Sequence, residues 1–286
     1  MNLLKRIYFY LKMIRFSHSV FALPFAFTAA FLAAGGIPTA RQAFFILLAM
    51  VGARSAAMGF NRIIDRNIDA KNPRTSKREI PAGTIKTGDA LIFSLLSFGV
   101  MAFAAFMLNP LCFKLSPLAG AIVILYSYTK RFTSLSHLVL GVAIAGAPLG
   151  AWIAVRGSFG AEIIPLGTAV VFWLAGFDVL YALQDLDFDR TYGLYSIPRK
   201  FGIARALVLS RIFHSVTWVL FIWNGFIFDC GPVYFIGMVV VGLLLIYEHS
   251  LVKKDDLSKL DVAFFNMNGY ISIAVCIFTF ADLMLR

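Results

Sequence analysis

"RQAFFILLAMVGARSAAMGFNRIIDRNID" occupies residues 41–69. As far as Ile64 the stretch is apolar enough to lie in lipid, and it closes on Asn61, Asp65 and Asp69, spaced four apart. Crossing a hydrocarbon core of about 30 Å takes about 20 mostly apolar residues per helix. Backbone groups left unpaired there cost several kcal/mol, so only helices or a closed barrel can span. The run is long and does not alternate, which selects the helix. The same reading along the chain predicts spans near 16–36, 41–64, 88–108, 111–129, 135–155, 163–187, 204–228, 230–250 and 264–285. The expected fold class is therefore all-α, a polytopic membrane protein of nine transmembrane helices.

Composition agrees. Of 286 residues 60% are hydrophobic and 14% charged, and the mean hydropathy is +0.81, far from the norm for soluble domains. The first span is long and lacks a small-residue cleavage pattern, so it reads as a retained helix rather than a signal peptide. Before it, "NLLKRIYFYLKMIRF" (2–16) mixes basic and aromatic residues, as an interfacial amphipathic helix does.

With the N-terminus cytoplasmic, 19 of the 26 Lys and Arg fall on the cytoplasmic side. Four (Arg41, Lys114, Arg156 and Arg286) fall opposite, and Arg54, Arg62 and Arg211 lie within spans. The positive-inside rule then places the chain in the cell inner membrane with its N-terminus in the cytoplasm. A net charge of +11 spread over membrane-flanking loops suits lipid headgroups, not nucleic acid. Cys112, Cys230 and Cys276 have no metal or redox spacing and read as packing residues. His18, His137, His214 and His249 show no ligand spacing either and are assigned to interface or core. "GAPLGAW" (146–152) has the small residues of close helix packing, and Pro148 is expected to kink the fifth helix. Nothing points to a protein partner.

No linker divides the chain, so residues 1–286 are expected to form one transmembrane domain. Two connections, 65–87 and 185–203, are long and polar, lie on the same side, and open with aspartates. The helices leading into them are the second and sixth, an interval that suits a pseudo-repeat.

Residues four apart on a helix lie about 40° apart around the axis and about 6 Å along it, so Asn61, Asp65 and Asp69 form a stripe of oxygens. Asp185 and Asp189 repeat the spacing, with Asp187 between. Oxygen donors without imidazole or thiolate suit a hard cation. Magnesium, which bridges one or two carboxylates to substrate phosphates, is the natural one. A single such motif could be solvated helix-end aspartates; two at matched positions, flanked by cations, indicate a site. Arg74, Lys77, Arg78, Lys130, Arg131, Arg199 and Lys200 lie on the same side to meet a diphosphate. The greasy end of such a substrate would lie among the 29 Phe and 10 Tyr. A metal-bound diphosphate leaves readily from an allylic carbon. Aromatic faces stabilise the cation away from water, and an aromatic acceptor completes a carbon–carbon bond.

"NRIIDRNIDAKNPRT" (61–75) with "YALQDLDFD" (181–189) resembles the UbiA superfamily of intramembrane prenyltransferases. "YSYTKRFTSLSHLVLG" (126–141) and "FFNMNGYIS" (264–272) extend the likeness over nearly the whole chain. The resemblance implies a nine-helix bundle with a central cavity open to the cytoplasmic side. It also implies Mg2+ and polyprenyl diphosphate held through Asn61, Asp65, Asp69, Asp185 and Asp189, with Asp65 and Asp185 essential to catalysis. Lys130 is implied to reach the diphosphate, with Tyr128, Arg74, Arg78 and Lys200 as further substrate-binding residues. Arg54, seven residues before Asn61, is implied to seat the aromatic acid. Asp178, seven before Asp185, mirrors it and would activate the acceptor or pair with Arg54. A structural ion pair between the two is the alternative.

One position departs: the family often has Asp after the Asn, where this chain has Arg62. The next residue points about 100° from the stripe, so the metal site is expected to survive, and acceptor identity or product-loop chemistry is what the change touches. Within the superfamily the chain is most similar to 4-hydroxybenzoate polyprenyltransferases of quinone biosynthesis. "FNRIIDRNIDAKNPRTSKREIPAG" (60–83) also resembles relatives on the futalosine route to menaquinone, whose acceptor is a hydroxylated naphthoic acid. A secondary transporter is the competing class. Against it, the carboxylates sit at helix ends and the helices carrying them are expected to be unbroken there.

Overall fold

The structure is a computed structural model that describes residues 3–14, 21–260 and 262–286, and the side chains of all of these except residues 3–6 and 264. Arg15, His18 and the start of the first expected span lie outside the described residues.

The described chain is helical: α1 (Leu3–Met13), α2 (Leu23–Ala34), α3 (Ala40–Ile64), α4 (Arg66–Asp69), α5 (Thr87–Leu108), α6 (Pro110–Thr129), α7 (Ser136–Arg156), α8 (Ile164–Ala182), α9 (Leu186–Tyr192), α10 (Ile197–Ile227), α11 (Pro232–Leu251) and α12 (Asn268–Leu285). Among the described residues eight segments are long and apolar enough to cross a membrane, and α2 is a shorter apolar helix of 12 residues. The nine-span reading holds, with the first span shorter in its described part than 16–36.

The chain divides into two compact units, residues 1–19 with 44–128, and residues 20–43 with 129–286. In the first, Met13 and Ile14 at the end of α1 bury against Ile80, Ile85 and Ala90, while Ile7, Tyr8 and Leu11 stay exposed. One face of α1 is docked and the other is apolar and open, as an interfacial helix requires. Small residues let α3 and α5 close on each other: a Cβ on Gly52 would stand 2.7 Å from the Met101 backbone nitrogen and 2.8 Å from the Ser97 carbonyl oxygen.

The second unit is built around α8, which is buried along most of its length and packs on α7 and α10. Lipid offers no hydrophobic drive for helices to associate, so packing and polar contacts must hold them. The α10 face supplies three: Ser210 donates to the Gly176 carbonyl at 2.7 Å, His214 Nε2 lies 3.1 Å from that of Trp173, and Thr217 donates to that of Ala169 at 3.2 Å. Gly176 admits the His214 ring, whose atoms would lie 2.2–2.3 Å from a Cβ there. His214 Nδ1 also stands 3.0 Å from His249 Nε2, a pairing that residues 35 apart do not advertise.

Two expectations are corrected. The helices carrying the aspartates are broken at them. α3 ends before Asp65, which sits at φ −90°, ψ 0°, and α4 follows. α8 gives way to a 3-10 turn, Leu183–Asp185, and Asp185 sits at φ −104°, ψ 7° before α9. Both aspartates thus occupy the sparsely used bridge region between the α and β basins, where active-site residues recur. The breaks fall where apolar sequence gives way to polar, so carbonyls released there can meet water, which they could not do in the hydrocarbon. The spacing survives: Asp65 N–H donates to Asn61 C=O at 2.9 Å and Asp69 N–H to Asp65 C=O at 2.8 Å.

The second polar connection is largely helix rather than loop. Ser196 caps α10, its hydroxyl accepting from Arg199 N–H at 3.3 Å, with Pro198 in the first turn. Gly202, at φ 79°, then separates that turn from the long run that follows, which the sequence placed at 204–228. α7 continues through Pro148.

Candidate active site

In the first unit the motif helix points its oxygens inward. Asn61 Nδ2 donates to Asp65 Oδ2 at 3.0 Å and to Ser127 Oγ at 3.3 Å. Asp65 is 1% exposed and Asp69 3%. Both are therefore buried groups, unlike solvated aspartates at a helix end. Asp69 meets Arg78, whose Nη1 donates to both carboxylate oxygens at 2.7 and 2.8 Å, and Thr75 Oγ1 donates to the Asp69 carbonyl at 3.1 Å. The connection after the helix thus folds back on the motif. Arg62 points elsewhere: it is buried, and its Nε donates to the Met13 carbonyl at 3.3 Å. The residue that departs from the family pattern ties α3 to the end of α1.

In the second unit α8 and α9 belong to one 32-residue segment, Ala161–Tyr192. A helix of that length reaches about 48 Å, more than the hydrocarbon requires, so its charged last turns stand beyond the apolar span. Asp189, in those turns, is 8% exposed. Burial pushes its carboxyl up to about 6, opposed by a hydrogen bond from Ser196; Asp185 raises it further and Lys130 lowers it. Lys130 is fixed beside it, its carbonyl accepting from Tyr195 N–H at 2.7 Å.

Deeper on α8, Asp178 Oδ2 lies 2.6 Å from His137 Nδ1, and Ile197 N–H points at His137 Nε2 from 3.3 Å. Asp178 therefore has His137 as a partner, and histidine spacing alone gave no sign of it. The signal available was positional, since His137 falls seven residues after Lys130, on the same side of the sequence as the motif. Ser127 and Ser196, which touch Asn61 and Asp189, were likewise not singled out.

The other predicted residues fare unequally. Arg54 is half-buried on α3, and Tyr128 at the end of α6 and Arg74 are exposed. Lys200 is exposed, its Nζ 5.1 Å from the centre of the Phe201 ring. Arg199 is committed to the fold, donating to the Leu194 carbonyl at 2.5 Å. Cys112, Cys230 and Cys276 are free thiols.

Among the described residues no three His, Cys, Asp or Glu side chains converge on a common metal position. The carboxylates come instead as pairs, Asp65 with Asp69 and Asp185 with Asp189. All are oxygen donors, and such pairs fit magnesium, which takes one or two carboxylates and fills its octahedron with waters and phosphate oxygens.

An all-helical membrane chain with two aspartate pairs, each beginning at a helix break and each beside a cation, defines an intramembrane enzyme class that handles diphosphates. The UbiA prenyltransferase family matches residues 22–270, and the chain belongs to it. It is 30% identical over 275 residues to the 4-hydroxybenzoate octaprenyltransferase of Shewanella sediminis, covering 94% of each chain. It superposes on the apo structure of a UbiA homologue from Aeropyrum pernix K1 with a TM-score of 0.81 and 30% identity, covering 94% of this chain and 97% of that one. A UbiA homologue from Archaeoglobus fulgidus, solved with DMAPP and Mg2+, shares the fold at a TM-score of 0.72 and 21% identity, covering 97% of this chain and 99% of that one.

Proposed function

We propose that this integral membrane protein transfers a polyprenyl group from polyprenyl diphosphate to an aromatic hydroxy acid of the 4-hydroxybenzoate type, in quinone biosynthesis. The single observation that carries the reading is the matched pair of aspartate motifs, Asp65 with Asp69 and Asp185 with Asp189, each opening on a residue at a helix break. Relatives with a 4-hydroxybenzoate activity match nearly the full length.

Asn61, Asp65 and Asp69, and Asp185 and Asp189, are the residues that would hold magnesium. When bound, magnesium neutralises the diphosphate and makes it a better leaving group. Lys130, Arg78, Arg74, Tyr128 and Lys200 bind the diphosphate oxygens as they lose the allylic carbon. Arg54 seats the carboxylate of the acid. The carbon–oxygen bond to diphosphate breaks, a carbon–carbon bond forms next to the ring hydroxyl, and the ring releases one proton. The location proposed is the cell inner membrane, and the Lys and Arg distribution supports an orientation with the motifs facing the cytoplasm.

The test is transfer from labelled polyprenyl diphosphate in membranes with magnesium, offering 4-hydroxybenzoate and a dihydroxynaphthoate separately and together. Prenylated 4-hydroxybenzoate supports the reading. Product from the naphthoate alone moves the acceptor to the menaquinone type, and no product from either rejects both. A transporter reading predicts substrate-coupled ion movement without diphosphate release.

A further inference from the structure

Asp178 is a carboxylate inside the α8 span, a costly place for a charge and one where it normally has a task. Its side chain keeps 24% exposure, while that of His137 beside it keeps 4%. The buried member of the pair is therefore the imidazole, and the carboxylate is the member open to a ligand.

The hydrogen bonds fix the imidazole's state. Ile197 N–H can only donate, so His137 Nε2 must offer a lone pair. The ring proton then sits on Nδ1, which donates to Asp178 Oδ2 at 2.6 Å. One oxygen of Asp178 is thus clamped, and the carboxylate keeps 24% exposure.

The pair is joined to the second aspartate motif. Ser196, whose hydroxyl bonds Asp189, precedes the Ile197 amide that holds His137. Along α8, Asp178 lies seven residues before Asp185, about 10 Å farther into the span. A diphosphate held at Asp185 and Asp189 with its allylic chain running into the span would put the bond-forming carbon between the two levels. The proton lost from the acceptor ring is released just beyond that carbon.

We propose, resting on the prenyl-transfer reading above, that Asp178 takes the proton that aromatic substitution releases and that His137 is its positioning residue. As the new carbon–carbon bond forms and diphosphate departs with the electron pair of its carbon–oxygen bond, the ring carbon becomes tetrahedral. Its C–H electron pair returns to the ring and the proton passes to Asp178 Oδ1. His137 donates from Nδ1 throughout and holds the carboxylate in place.

The test uses the full chain in membranes with an aromatic acid deuterated at the ring position that is prenylated. Wild type should lose the proton fast and show a kinetic isotope effect near unity. Asp178→Asn should lower kcat about 10²-fold, and His137→Leu about 10-fold by analogy with other orienting partners. Both should develop a primary isotope effect while KM for the acid and affinity for magnesium and diphosphate hold. His137→Asn, which keeps an N–H donor near the Nδ1 position, should recover much of the rate. Unchanged kcat in His137→Leu, or a loss with no isotope effect or with equal loss of diphosphate affinity, overturns the proposal and makes the pair structural. A wild-type chain that prenylates no aromatic acid overturns the underlying reading as well, so the two failures are distinct.

Discussion

Arg78 places one guanidinium nitrogen 2.7 and 2.8 Å from the two carboxylate oxygens of Asp69, closing a nine-residue turn onto the first motif. The Asp69 side chain is 5% exposed and that of Arg78 18%. Removing the cation alone leaves a buried charge without its counterion, at a cost of about 3 kcal/mol. Arg78→Met should therefore lower thermal stability clearly, and magnesium with diphosphate should restore part of the loss by supplying positive charge at Asp69. Asp69→Asn with Arg78→Met should cost less than the sum of the single changes. Thermal unfolding in detergent with and without the ligands checks this, and an additive cycle would deny the coupling.

Metal binding should depend on the diphosphate. Since no three carboxylates or imidazoles converge among the described residues, magnesium alone has too few protein ligands for tight binding and needs phosphate oxygens to complete its shell. Ligand stabilisation follows RT ln(1 + [L]/Kd). Magnesium alone should shift the melting temperature little, diphosphate alone little, and the two together substantially; EDTA should cancel the joint shift. A full shift from magnesium alone would mean a preformed metal site.

Gly176 should resist enlargement. A Cβ there would lie 2.2–2.3 Å from ring atoms of His214, which is held by the Trp173 carbonyl and by His249. Gly176→Ala should cost about 1–3 kcal/mol through overpacking of α8 on α10. Gly146→Ala on α7, where nothing lies within 4 Å of the added methyl, should be neutral or slightly stabilising. Unfolding midpoints of the two variants, measured side by side, decide it. Equal midpoints would show that the α8–α10 contact can give way.

The helices were legible because apolar runs of membrane length leave few alternatives; α3, α5, α6 and α11 begin and end within two residues of where the sequence put them. The aspartates were legible because their four-residue spacing survives the breaks at Asp65 and Asp185. The breaks themselves were hidden, since neither Pro nor Gly stands at either one. His137 with Asp178, and His214 with His249, were hidden for another reason: residues 41 and 35 apart meet only when helices pack. Spacing along one helix cannot report a partner on another. The burial of Asp65 and Asp69 was missed because a polar segment at a helix end looks solvated until Arg78 and Ser127 are seen to enclose it.

The most direct measurement is transfer activity of purified Asp65→Asn and Asp185→Asn, each with its melting temperature and its affinity for polyprenyl diphosphate in magnesium. Asn replaces Asp without a change of shape, so the buried Asp65 position leaves no cavity. The account predicts folded proteins whose turnover falls by at least about 10²–10³-fold, with the magnesium-dependent part of diphosphate affinity lost in both. Folded variants that keep wild-type turnover would contradict it.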